Sequence, residues 1–279
     1  MTKLSMDIYF PDNYNYNEKS ACVIFVFGDG FSQGSRLDER NVTFCQEMSD
    51  SGYVVAAIDY RLGMKGLKYE GSKTGEALNR AIAMAVEDIY DATIFLIKDA
   101  YNLKIDKDKI LLCGSGAGAI AVLQADYELA NQMESSMVLP DEFRYDGVIS
   151  FAGGILIHKG KPEYQRYPAA TLFFHGEEDR IICYKHKHLF NYDFYGSDEL
   201  VKEFKHSKYP YSIFRFQDIG HEISYLPMIY YKKEICQFAK LCSNDMFVEM
   251  ESDMIIKDEN LSNFDYIKMP LSKIFLNKD

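Results

Sequence analysis

Short runs of β-branched, aromatic and aliphatic residues recur along this chain, and several are apolar at every position instead of at alternate ones. They are SMDIYFP near the start, ACVIFVFG (21–28), YVVAAIDYR (53–61), KILLCG (109–114), DGVISFAG (146–153), ATLFFHG (170–176) and YSIFRFQD (211–218). A strand with one wet face alternates polar and apolar residues, whereas one that is apolar throughout must be covered on both faces. Helical patterns separate the runs. ERNVTFCQEMSDSG predicts a short helix ending near Gly52. GEALNRAIAMAVEDIYDATIFLIKDAYNL predicts a long one, with Ile82, Val86, Ile89, Thr93 and Ile97 on a single face. GAIAVLQADYELAN follows a glycine turn, and PMIYYKKEICQFAKLC predicts one further helix. Such alternation implies the α/β class: a mostly parallel central sheet with helices on both faces.

One domain over residues 1–242 accounts for this rhythm. Residues 243–279 break it with acids and scattered apolar residues, and are expected to form a C-terminal arm or tail packing on the domain. The formal net charge of −11 argues against nucleic acid as a partner, because backbone phosphates require a basic surface. The six cysteines form no CxxC pair and mostly sit in apolar runs, so they read as buried thiols of a reducing compartment. No apolar run is long enough for a membrane span. The start, MTKLSMDIYFPDNYN, has no signal-like apolar core, which points to the cytoplasm; prior removal of a signal peptide would make the protein secreted or periplasmic. Nothing in the pattern fixes an oligomeric state.

The turn in KILLCGSGAGAIAV carries the functional question. Gly114, Gly116 and Ala119 satisfy a dinucleotide fingerprint, G-x-G-x-x-(G/A), between a strand and a helix. That fingerprint uses the first strand of its unit and an acidic residue closing the next; here three strands precede the turn, and the next strand ends in small apolar residues. A nucleophile elbow, G-x-S-x-G, fits Gly114 and Gly118 as flanks and puts Gly116 at the centre. Centring on Ser115 instead would make Cys113 and Ala117 the flanks, neither of them glycine. The bland alternative is a tight turn with no chemistry. An acid and a base later in the chain favour the elbow: Asp179 in FFHGEEDRII lies just past an apolar strand, and His221 in FQDIGHEIS follows the last one. This is the order nucleophile, acid, histidine. Oxyanion donors require a glycine-rich turn after an early strand, which Gly28-Asp29-Gly30-Phe31 supplies.

These residues resemble the α/β-hydrolase superfamily of the esterase/lipase type, near its carbohydrate-esterase and dienelactone-hydrolase-like members. VFGDGF resembles the family's HGGGF motif, with Phe27 for the histidine and Asp29 for the middle glycine. IDYRLG (58–63) resembles its YRL segment, CGSGAGA its G-x-S-A-G turn with Gly116 at the serine, and HGEEDRII and GHE its acid and histidine motifs. The resemblance spans residues 20–240. It implies an α/β-hydrolase fold, hydrolysis of a carboxylic ester, a small-molecule ester or acylated-sugar ligand, and no metal or organic cofactor. It also implies His221 as base, Asp179 as acid, and the amides of Asp29 or Gly30 and of Ala117 as oxyanion donors.

Gly116 supplies no nucleophile. Four explanations stand at this level: a pseudoenzyme that keeps the pocket for binding, an inactivated variant, Ser115 as alternative nucleophile after a shift of the turn, or water activated directly by His221. Elsewhere, His186 and His188 form an H-x-H pair in CYKHKHLF; with flanking lysines and no paired acid, the segment is expected to be a solvated rim and not a metal site.

Overall fold

The computed structural model describes residues 3–12, 18–67, 73–247 and 249–255. Each of the seven apolar runs becomes a strand of one sheet. In chain order the first elements are β1 (Met6–Tyr9), β2 (Ser20–Val26), α1 (Glu39–Asp50), β3 (Val54–Ile58), α2 (Lys73–Lys98), β4 (Ile105–Ser115) and α3 (Ala117–Ala130). Then come β5 (Gly147–Phe151), β6 (Gly154–Ile157), β7 (Ala170–Gly176), β8 (His186–Leu189), β9 (Tyr192–Gly196) and α4 (Ser197–Ser207). The last are β10 (Tyr211–Gln217), α5 (Leu226–Tyr230), α6 (Lys232–Cys242) and β11 (Met250–Ile255).

The eight-stranded sheet has the order β1-β3-β2-β4-β5-β7-β10-β11. Only the β1–β3 pairing is antiparallel; all the others are parallel. Successive strand residues face opposite sides, and neighbours on β7 display both layers. Phe173 meets Phe204 of α4 edge-on, while Phe174 packs on Tyr231 beside α6. On the latter side Phe44 of α1 contacts Phe25 and Phe151. On the former, Tyr90 of α2 donates its hydroxyl proton to the Ala125 carbonyl of α3 at 2.7 Å. The expected mostly parallel sheet with two helical layers is therefore present.

Three features differ from the sequence expectation or add to it. The helix predicted from PMIYYKKEICQFAKLC is two helices, broken at Tyr231 (φ −119°, ψ 24°). That ring wedges among Phe174, Phe214 and Phe216, and seating it interrupts the backbone. Second, β6, β9 and β8 form a small antiparallel sheet that the short, polar sequences HKHL and YDFYG do not announce. Third, β11 extends the main sheet beside β10, where Glu251 accepts from Tyr211 at 2.7 Å and pairs with Arg215 and Lys205. The remainder of the expected arm, 256–279, lies outside the described residues.

Candidate active site

The turn between β4 and α3 is shaped by close backbone approach. A Cβ on Gly118 would collide with the Val26 and Phe27 carbonyls, and one on Gly114 with the Gly118 carbonyl and the Ala119 amide. Both positions therefore need glycine, and they flank residue 116 symmetrically. Gly116 itself has φ 52° and ψ −114°, a conformation that strains any residue with a Cβ. Its N–H donates to the Phe151 carbonyl at 2.9 Å, and its own carbonyl accepts from Ile120. A Cβ built there would lie 3.4 Å from His221 Nε2, which is ordinary contact. Ser115, one residue earlier, is buried, and its hydroxyl donates to the Ser224 carbonyl at 2.7 Å.

Asp179 and His221 meet. The carboxylate Oδ2 is 2.8 Å from His221 Nδ1, while Oδ1 accepts the amides of Ile181 and Ile182 at 2.8 and 2.9 Å. Burial by itself pushes the Asp179 carboxyl up. The His221 charge, with hydrogen bonds from His175 and His221, outweighs this and holds it well below the usual range. The backbones cross tightly here: a Cβ on Gly176, which ends β7, would overlap the Ile219 and Gly220 carbonyls of the histidine loop. With Nδ1–H committed to a carboxylate, Nε2 is left as the acceptor that faces position 116. Such an imidazole can take a proton from a hydroxyl or a water.

The loop after β2 closes the third side. Asp29, Gly30 and Phe31 all take left-handed φ values of 70°, 70° and 56°. Tyr60, from the YRL segment, buttresses the loop by sharing its hydroxyl proton between the Phe27 and Gly28 carbonyls at 3.0 and 2.9 Å. The Gly28 Cα is 3.9 Å from where a Cβ of residue 116 would sit. Ala117 opens α3, so its N–H has no acceptor within the helix by position. Burial raises the Asp29 carboxyl, as does Asp38; Arg40 and His221 oppose them.

These parts line a cleft of about 660 Å³. Phe44, Ile181 and Met228 give it apolar walls, and its rim carries paired charges. The Arg40 guanidinium lies 4.3 Å over the Tyr225 ring, and Lys232 bonds Glu47 at 2.5 Å. The structure thus brings together Gly116, Asp179, His221, Asp29, Gly30, Ala117 and Ser115. Sequence reasoning missed His175, which is fully buried, with Nδ1 2.7 Å from Ser197 Oγ and Nε2 3.5 Å from Asp179. It also missed Asp193, which pairs with His186 and His188 across the β8–β9 hairpin.

A family model, BD-FAE, matches residues 6–165, a span that includes the loop at 28–31 and the turn at 114–118. Among solved structures the chain is similar to Thermogutta terrifontis esterase 2 phosphonylated by cyclosarin. The identity is 19%, covering 88% of this chain and 91% of that one, with a TM-score of 0.62. The apo form of the same esterase gives 19%, 88%, 92% and 0.61. The propionate-bound form gives 18%, 88%, 92% and 0.63. At this identity the likeness is one of fold. Among curated proteins none matches significantly. No helix among the described residues is long and apolar enough to cross a membrane.

Proposed function

The chain belongs to the BD-FAE family of esterase-like α/β-hydrolases, and from that premise we propose a carboxylic-ester hydrolase site that keeps its acid–base pair without its nucleophile. Asp179 is the acid that orients His221, and Gly116 stands at the nucleophile position. The amides of Asp29 or Gly30 and of Ala117 would be the donors to a developing oxyanion. One observation carries this reading: the 3.4 Å between a Cβ at residue 116 and His221 Nε2, which is the space a serine side chain would occupy beside its base. Ser115 supports it from the other side, because its hydroxyl is already committed to the Ser224 carbonyl.

In a complete site of this kind the serine hydroxyl attacks the ester carbonyl while the imidazole takes its proton. Amide donors hold the oxyanion, and the imidazolium then protonates the leaving alkoxide. Water reverses the sequence on the acyl-enzyme. Without the hydroxyl, the covalent route is closed, at a cost of about 10⁶ in turnover. What remains is a cleft for a small ester or acylated sugar and a base able to activate water on a reactive ester. The similar Thermogutta terrifontis esterase 2 has been solved with propionate and with butyrate bound, so these acids are the first binding probes for this cleft. A chain that binds them without turnover would be a ligand-binding protein on the same scaffold.

The test is hydrolysis of p-nitrophenyl acetate by the parent and by Gly116→Ser. The variant should gain at least about 10²-fold in kcat/KM, and Asp179→Asn in the same background should abolish the gain. A Gly116→Ser protein that folds and stays as inert as the parent would overturn the assignment.

A further inference from the structure

Beyond the cleft, we infer that His186, His188 and Asp193 form a three-ligand site for a divalent transition-metal ion, of the kind zinc occupies, on the β8–β9 hairpin. The argument begins with register. Strand side chains alternate, so His186 and His188 of β8 share a face and Lys187 points to the other. Across the hairpin His188 is paired with Asp193 and His186 with Tyr195, so Asp193 lies directly opposite one imidazole and diagonal to the other. Flanking lysines therefore do not oppose an ion on this face, and the acid absent from the local sequence arrives from the next strand.

The geometry agrees with the register. His186 Nε2 lies 2.9 Å from Asp193 Oδ1, and His188 Nδ1 approaches the same oxygen. All three ligand atoms fall within 4.8 Å of one another. A tetrahedral zinc ion with bonds of about 2.0–2.1 Å holds its ligand atoms about 3.4 Å apart, so changes in separation of no more than about 1.4 Å seat the ion. Orientation is supplied from outside the trio. The His186 ring stacks on Tyr195 at 4.6 Å, and the Tyr195 hydroxyl donates to the Gly160 carbonyl at 2.6 Å. Accessibility is graded: the Asp193 side chain is 12% exposed and that of His188 78%, which leaves an entry path and room for water as a fourth ligand. Two imidazoles and one carboxylate suit zinc, cobalt or nickel better than magnesium or calcium.

Binding would stiffen the hairpin without taking part in ester chemistry. β9 runs directly into Ser197, whose hydroxyl also donates to the Gly153 carbonyl.

Cobalt(II) chloride is titrated into the tag-free full-length chain, followed by absorbance and by calorimetry, and repeated with zinc. The parent should bind one ion with a tetrahedral visible band and no thiolate charge-transfer band, and its melting temperature should rise with zinc. His188→Ala, at an exposed position, should weaken binding by more than about 10–100-fold, the range that loss of an outer-shell partner already costs. Asp193→Asn should do the same. Retained affinity in His188→Ala, a thiolate band that assigns the ion to cysteine, or no binding by the folded parent at sub-millimolar metal would each overturn the site.

Discussion

Position 29 puts a carboxylate in a loop whose proposed task is to receive negative charge. Burial raises the Asp29 carboxyl, as does Asp38, while Arg40 and His221 oppose them; in its ionised form it would add negative charge to the loop. In the Gly116→Ser background, Asp29→Asn should therefore raise kcat about 10-fold, equal to about 1.4 kcal/mol of barrier, with little change in KM. Asparagine is chosen because it tolerates the left-handed φ of 70°. An unchanged or lower kcat in steady-state assays would place the carboxylate away from the reacting oxygen. At this scale the sequence is informative where backbone chemistry demands a residue type. Gly114 and Gly118 identify the centre of the turn because no other residue fits against β2 and α3. His175 leaves no such trace. Its closeness to Asp179 comes from the fold of the loop after β7, which no local pattern records.

Among elements, the strand–turn–helix of β4 and α3 carries the site, and its tightest point is Gly118. An added methyl would meet the carbonyls of β2, which are backbone and cannot swing aside. Gly118→Ala should cost at least about 3 kcal/mol and lower the melting temperature by about 6–12 °C, read by circular dichroism. A loss under about 1 kcal/mol would mean that α3 can slide along the sheet. The main strands were legible because burial on both faces leaves a continuous apolar signature. The β8–β9 hairpin was not: its strands are only four and five residues long, and β8 is built mainly of imidazoles and lysine that are half-buried or exposed. The break at Tyr231 was equally hidden, since only tertiary packing of that ring stops one helix and starts another.

Over the whole molecule, α3 is buried nearly all round, and it carries Asp126 into the interior. Burial pushes this carboxyl up to about 7, against the amide of Ala169 and the charge of Arg144. A folded-state value above the ordinary 3.8 means that stability associated with the protonated form is full below about pH 4 and is lost as pH rises through about 7. Asp126→Asn removes that loss. The stability gap between variant and parent should thus shift in the variant's favour by about 2–4 kcal/mol from about pH 4 to about pH 8, measured by urea unfolding. An identical gap at both pH values would mean that Asp126 is ionised in the fold without penalty. The α/β architecture and the order of turn, acid and histidine were readable along the chain because each depends on local spacing. What joins distant segments was not: β11 beside β10, and Asp193 facing two histidines, are products of pairing.

The most direct measurement is intact-mass analysis after treatment with a fluorophosphonate, applied to the parent and to Gly116→Ser. If residue 116 is the vacated nucleophile position beside His221, the parent stays unmodified and the variant gains one phosphonyl group, mapped by peptide sequencing to residue 116. A parent that becomes labelled at Ser115, or a folded variant that remains unlabelled, would contradict it.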